Sequence, residues 1–115
     1  MTIKIIEKKI SKKELREIAK EVFGDMVKCT ADIVQMRLAV GGELHMDSNE
    51  LLIKTGSSQQ DVWGFNIYPD MPEADLLEFN SLVNIKPRLG NRSANIMDEK
   101  VQKKIREVVK KFVTD

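Results

Sequence analysis

The stretch that decides the fold is VKCTADIVQMRLAVGGELHM, residues 27–46, because its apolar side chains recur at every second position. Apolar and polar residues alternate through residues 27–33 and again through residues 38–46, the pattern of a strand with one buried face. The second alternation contains Gly41 and Gly42, a pair typical of a bulge or of a close approach between backbones. Two such segments in succession predict a β-hairpin, which makes antiparallel sheet the centre of the fold.

Two amphipathic helices flank this hairpin near the ends of the chain. Residues 11–14 (SKKE) form a capping box in front of apolar residues at helical spacing, and Gly24 suits a helix end. A helix is therefore predicted over residues 11–23. Asp98 is a suitable N-cap for a second helix, whose apolar stripe extends to Phe112.

Shorter elements are predicted in the rest of the chain from the same two patterns, alternation at every second residue for strands and helical spacing for helices. They are a short strand or extended lead-in at 3–6, a helix at 48–55, a strand at 63–68, a short helix from Pro72 and a strand at 79–85.

Together these elements predict one α+β domain covering residues 1–115. Its mainly antiparallel four-stranded sheet is packed on one side against the two long terminal helices, with short helices in the connections. A chain of 115 residues, 42% hydrophobic and 32% charged, can bury enough surface to fold without a metal or a disulfide. Its single cysteine and single histidine exclude an internal disulfide and a histidine-rich metal site, so no metal and no cofactor is predicted.

The hydropathy pattern excludes a membrane-spanning segment. No apolar run approaches the ~18 residues that a membrane helix needs. The apolar stretch at the N-terminus is also too short for a signal peptide. We therefore expect a cytoplasmic protein with no membrane partner.

Charge is distributed unevenly along the chain. Residues 1–24 carry a balance of +3, residues 25–80 one of −7, and residues 81–115 one of +5. Basic ends of this kind indicate either a surface for nucleic acid or basic helices packed beside an acidic middle. The pI of about 7.8 favours the second interpretation, because nucleic-acid modules usually have a pI above ~9. Nucleic acid is therefore only a weak candidate partner.

Four stretches carry a resemblance to a known family: FGDMVK at 23–28, VGGELH at 40–45, DVWGFNIYP at 61–69 and VNIKPRLGNRS at 83–93. They resemble a family of short prokaryotic proteins that is described as a domain of unknown function. The resemblance covers nearly the whole chain. It implies a soluble, intracellular, single-domain protein, and it implies no activity, substrate or site residue.

The segment 87–93 (PRLGNRS) has the composition of an anion site. The guanidinium groups of Arg88 and Arg92 can each bind an oxyanion through two parallel hydrogen bonds. Asn91 and Ser93 add side-chain donors a few residues before a predicted helix. The same residue types also suit a structural turn, with the arginines paired to acidic groups and the Asn and Ser capping backbone groups.

A second candidate site lies in the predicted strand at 38–46. Glu43, His45 and Asp47 alternate there, and a strand continuing through them would point all three side chains to one face. Carboxylate, imidazole and carboxylate on one face could perform acid–base chemistry or hold a divalent metal. The alternative is that Asp47 caps the following helix and His45 is a polar residue of the sheet.

We therefore predict an intracellular, non-enzymatic binding module whose anionic ligand is held by Arg88, Asn91, Arg92 and Ser93. Two alternatives stay open. One is a small hydrolase or nuclease that uses His45 and Glu43. The other is a homodimeric protein-interaction domain joined at a sheet edge or an open sheet face.

Overall fold

The computed structural model describes residues 1–115 and shows an α+β fold around an antiparallel sheet. The sheet contains β1 (Ile3–Ile5), β3 (Val27–Asp32), β4 (Arg37–Gly41), β5 (Val62–Ile67) and β6 (Leu77–Glu78). Their order across the sheet is β1-β4-β3-β5-β6, and every neighbouring pair is antiparallel. The predicted hairpin is thus β3–β4, at the centre of the sheet, and the sheet has five strands where four were predicted.

Three helices and a second, two-stranded sheet complete the chain. The helices are α1 (Lys12–Val22), α2 (His45–Lys54) and α3 (Glu99–Phe112). Strands β2 (Ile10–Ser11) and β7 (Val113–Thr114) pair in parallel, so the start of α1 lies beside the end of α3. The two terminal helices are confirmed with their predicted caps: the Ser11 hydroxyl accepts from Glu14 N, and the Asp98 carboxylate accepts from Lys100 N.

The main core lies between one face of the sheet and helices α1 and α3. Apolar residues of alternate strand positions, such as Cys29 and Phe65, pack there with Ile18 of α1 and Ile105 of α3. The opposite face was predicted to be open, and this is wrong, because α2 covers it. A smaller apolar cluster around Leu52 fills that second interface.

Polar residues on the second face are buried because α2 and its flanks supply hydrogen-bond partners. Thr30 Oγ1 donates to Ser48 Oγ at 3.0 Å, and the Asp32 carboxylate accepts from Ser57 Oγ at 2.6 Å. The alternation in β3 therefore corresponds to two different faces of the strand, one packed in the main core and the other facing α2 and its flanks. The polar side chains of β3 can be buried because each of them forms a hydrogen bond with another protein group.

The strand predicted at 38–46 ends early, at Gly41. Gly41 and Gly42 both have positive φ angles, 102° and 94°, and turn the chain out of the sheet. The helix predicted at 48–55 accordingly begins three residues sooner, at His45. The two glycines were read as a bulge or close approach, and Gly41 does lie against the backbone oxygen of Thr2.

The strand predicted at 79–85 does not form. The pairing to β5 is made earlier, by β6, and the chain then forms a 3₁₀ turn at Leu82–Asn84. Ser81 caps this turn by accepting from Val83 N at 3.1 Å. The turn packs against β5. Phe79, Ser81 and Val83 are therefore less exposed than the residues between them because the loop folds onto the sheet, and not because they form one face of a strand.

Candidate functional site

The loop predicted to bind an anion is a closed turn between residues 86 and 91. Lys86 N donates to Asn91 O at 2.7 Å, and Asn91 N donates back to Lys86 O at 3.2 Å. Between them lies a single 3₁₀ turn, Pro87–Leu89, followed by Gly90 with a φ of 81°. Proline at the first position of the turn and glycine in the left-handed region are the residues that this geometry favours.

Asn91 is the structural centre of this loop. Its buried side-chain amide donates to the backbone oxygens of Asn84, Ser93 and Asn95 at 2.8, 2.8 and 3.0 Å. Its Oδ1 accepts from Met97 N at 2.9 Å. All the polar atoms of this side chain therefore bond to the protein, and they hold the segment before α3 in place.

Ser93 makes a lighter contribution to the same loop. Its hydroxyl oxygen accepts from Asn95 N at 3.1 Å, which forms a short turn. The Ser93 hydroxyl hydrogen is not used within the protein. Of the two uncharged residues predicted to face an anion, Ser93 keeps a free donor and Asn91 has none.

Arg88 and Arg92 are both exposed, and neither guanidinium makes a hydrogen bond or an ion pair within the protein. Arg106 likewise makes no hydrogen bond or ion pair, and lies over the ring of Phe79, whereas Arg16 and Arg37 have polar partners. Arg16 pairs with Asp70, and Arg37 donates to Ser57 Oγ and to two further oxygens near the end of α2. The pairing of the loop arginines with acidic residues, which the alternative interpretation of the loop as a structural turn proposed, is therefore not formed.

Lys86 is a further cation of this loop, and the sequence offered no pattern that singled it out. Its side chain is buried, with 9% of the residue exposed, and its Nζ donates to Gln59 O at 2.7 Å. The ammonium also lies 5.2 Å from the ring centre of Trp63. Burial lowers the pKa of Lys86, and the charge of Asp61 partly opposes that shift.

An open groove of about 790 Å³ runs beside Lys86 and Arg88. Residues 58–60 form one of its walls, and residues 86–89 form the other. Arg92 and Ser93 lie outside the lining of this groove, further along the loop. The structure therefore brings Arg88 together with Lys86, and not with Arg92, at one concave surface.

The residues of the second candidate site are separated by the start of α2. His45 is the first residue of that helix, and its Nε2 lies 2.9 Å from the backbone oxygen of Phe65. Glu43 is exposed before the helix, and the Asp47 carboxylate accepts from Leu44 N at 3.3 Å. Because the strand ends at Gly41, the common face that predicted acid–base or metal chemistry does not exist. No group of three or more His, Cys, Asp and Glu side chains is placed to hold a metal ion.

Comparison with known proteins gives a family. Residues 4–112 match the model of a family described as protein of unknown function, DUF5674. The chain belongs to that family. Searches of curated proteins and of solved structures each found no match. No helix of this DUF5674 protein combines the length and the apolar character needed to cross a membrane.

The family carries no assigned activity, so the chemistry of this DUF5674 protein has to be inferred from its side chains. The resemblance found in the sequence is confirmed. The function of the protein is not established by it.

The ring of His45 in this DUF5674 protein is expected to titrate below the ordinary histidine pKa of about 6.5. Burial lowers its pKa, and the nearby Lys28 charge adds to the shift, against the opposing effects of Phe65 O, Asn66 and Glu78. The unfolded state then binds more protons between the two pKa values. The free energy of unfolding therefore decreases as the pH falls from about 6.5 towards the folded-state pKa.

Proton NMR of the imidazole against pH measures this directly, because the chain has one histidine. The matched variant is His45→Gln, whose amide can still donate to the carbonyl of Phe65. It should remove the dependence of stability on pH in that interval. A ring pKa at or above about 6.5 would show that His45 is not buried as described.

Proposed function

We propose that this protein is a small binding module for an anionic ligand. Lys86 and Arg88 are the principal binding groups, in the groove between residues 58–60 and 86–89. Arg92 and the Ser93 hydroxyl assist from the outer part of the loop, and Asn91 maintains the loop conformation. The observation that supports the proposal is that two cations line one groove with no carboxylate within 4.0 Å of either.

Neither Lys86 nor Arg88 forms an ion pair with a carboxylate. An ammonium group removed from water is disfavoured unless an opposite charge or several acceptors compensate it. Lys86 has one backbone acceptor and the face of Trp63, and the charge of Asp61 offsets only part of the burial that lowers its pKa. An anion in the groove would complete the shell of Lys86. It would also receive the planar fork of Arg88, which matches phosphate, sulfate or carboxylate geometry.

The alternative functions have less support. Glu43 and His45 share no face, which weakens the hydrolase or nuclease alternative. The sheet edges are β1, with three residues, and β6, with two, and such short edges offer little for a homodimer to pair with. A cytoplasmic location and a weak affinity for nucleic acid stay as predictions from the sequence.

The proposal is tested by calorimetric titration and thermal melts with inorganic phosphate, with sulfate and with a short oligothymidylate. We expect a saturable interaction that raises the melting temperature. Arg88→Ala and Lys86→Met should each weaken it by about tenfold or more, and Arg92→Ala should weaken it less. The interaction should also decline with added salt, because exposed charges are screened over ~10 Å at 0.1 M.

Lys54→Ala is the matched control, since Lys54 is an exposed cation without a carboxylate partner at the end of α2. It should leave the affinity unchanged. If none of the three anions raises the melting temperature, or if Lys54→Ala weakens binding as much as Arg88→Ala, the groove is not an anion site. Tighter binding of the oligonucleotide than of phosphate, with a steep salt dependence, would identify a nucleic-acid backbone as the ligand.

A further inference from the structure

A second cleft lies on the face of the sheet that α2 covers. It has a volume of about 470 Å³ and lies between the start of α2, the β3–β5 pair and the turn that follows β6. Lys28, His45 and Asn66 are among its polar lining residues, and Met46 and Leu82 are among its apolar ones. It shares no lining residue with the groove beside Lys86 and Arg88, so it is a separate site.

Asn66 supplies an unused acceptor at this cleft. The residue is 5% exposed, and its Nδ2 donates to Glu78 Oε1 at 2.7 Å, which fixes the orientation of the amide. Its Oδ1 is buried and has no hydrogen-bond donor within 3.5 Å, although the His45 ring lies close enough for Asn66 to oppose the lowering of that ring's pKa. Such an orphan is uncommon in native proteins and costs about 1–3 kcal/mol when left unpaired. A ligand that brings an N–H donor would relieve it.

Unused donors lie close to that acceptor. Lys28 and Asn66 are directly opposite each other on the paired strands β3 and β5, a position in which side chains interact. Lys28 forms no ion pair, and its ammonium lies 4.9 Å from the ring centre of Phe23, a contact that leaves its N–H groups free for an acceptor. The first two N–H groups of α2, from His45 and Met46, have no partner, and Leu44 at the N-cap makes no side-chain cap. The Asp47 carboxylate already accepts from Leu44 N at this helix end, and the two free N–H groups can receive further acceptor oxygens.

Apolar side chains with unusual exposure border the same cleft. Leu82 is 79% exposed and Leu44 is 60% exposed, and Met46 is also exposed. Large apolar groups placed together in water frequently mark a binding surface. They lie beside the charged and polar groups just described, so the ligand should be amphipathic.

We propose that this cleft binds a small apolar α-amino acid. The carboxylate is received by Lys28 and the free N–H groups at the start of α2. The ammonium group donates to Asn66 Oδ1. The apolar side chain contacts Met46 and Leu82. This ligand combines an acceptor for the donors, a donor for Asn66 Oδ1 and an apolar group for the apolar border of the cleft.

The experiment is a titration of the ¹⁵N-labelled protein with L-leucine, followed by amide NMR and calorimetry. We expect saturable shifts of the amides of Lys28, His45, Met46 and Leu82, and none at residues 86–92. The two probes that each lack one charge, 4-methylpentanoate and 3-methylbutylamine, should bind at least about tenfold more weakly. The location of the shifts separates this proposal from the anion groove.

Two variants and a control complete the test. Lys28→Met keeps the apolar stem and removes the charge, and should weaken leucine binding by about tenfold. Leu82→Ser changes a side chain that is mostly in solvent, so the fold is retained while binding weakens. Lys20→Met, on exposed α1, should have no effect. The proposal is overturned if leucine causes no saturable shift up to about 10 mM, if Lys28→Met binds leucine unchanged, or if 4-methylpentanoate binds as well as leucine.

Discussion

Replacing Gly64 by alanine is expected to lower the free energy of unfolding by about 3 kcal/mol or more. Gly64 lies in the middle of β5, under the turn that follows β6. A methyl group at this position would lie 2.5 Å from both Cβ and Oγ of Ser81 and 3.3 Å from Cδ2 of His45. Atoms cannot approach so closely, so the turn must move away from the sheet.

Displacement of the turn would also break a buried pair of hydrogen bonds. Gly64 N donates to Asn84 Oδ1 at 2.7 Å, and Asn84 Nδ2 donates back to Gly64 O at 2.9 Å. Losing them leaves backbone groups unpaired inside the protein, which adds to the cost of the clash. The measurement is urea unfolding of the variant and the parent under the same conditions.

A double-mutant cycle identifies the cause. Ser81→Gly removes the colliding side chain, so Gly64→Ala should cost clearly less in the Ser81→Gly background than in the parent. The single Ser81→Gly change should cost about 1 kcal/mol through the lost cap and the added backbone freedom. If Gly64→Ala unfolds at the same urea concentration as the parent, the turn does not rest on β5.

Local signals explain which parts of the fold were predictable. Helices α1 and α3 were predicted with their caps because the capping residues and the apolar stripes lie within the helices themselves. The hairpin β3–β4 was predictable for the same reason, since both alternations are contiguous in the sequence. In each case the information needed lies within about four residues of the position it decides.

The errors arise where a partner is distant in the sequence. Thr30 and Asp32 alternate with apolar residues, which ordinarily indicates a solvated face, yet Ser48 and Ser57 bury them by hydrogen bonding. The turn at Leu82–Asn84 was read as a strand because its buried positions alternate. Neither outcome has a local signal, because both depend on contacts across 18 or more residues.

The candidate anion site also combines features that the local sequence predicts with features that depend on distant contacts. The two arginines of the loop were predictable as exposed cations, since nothing in the loop itself neutralises them. The contribution of Lys86 depends on Gln59, which is 27 residues away, and on Trp63. The loop composition was equally compatible with Asn91 facing a ligand or holding the turn, and the structure gives it four partners within the protein.

Replacing Asn91 by alanine is expected to destabilise the protein by about 3 kcal/mol. The change removes an amide group whose two N–H hydrogens are shared among three backbone oxygens, together with one accepted hydrogen bond, at a buried position. The carbonyl of Asn84, which is itself fully buried, would lose its donor. Asn95→Ala is the matched control, because Asn95 is exposed in the same segment and should cost less than about 1 kcal/mol.

The isosteric change Asn91→Asp tests the donors alone. The carboxylate can still accept from Met97 N, but it would face three backbone oxygens that it cannot bond while ionised. Its pKa should therefore be higher in the folded state than in the unfolded state, so stability is lost as the pH rises through that interval. Asn91→Asp should consequently resemble the parent more closely near pH 4 than at pH 7. Equal destabilisation of Asn91→Asp at both pH values, or parent-like stability of Asn91→Ala, would show that Asn91 does not hold the loop.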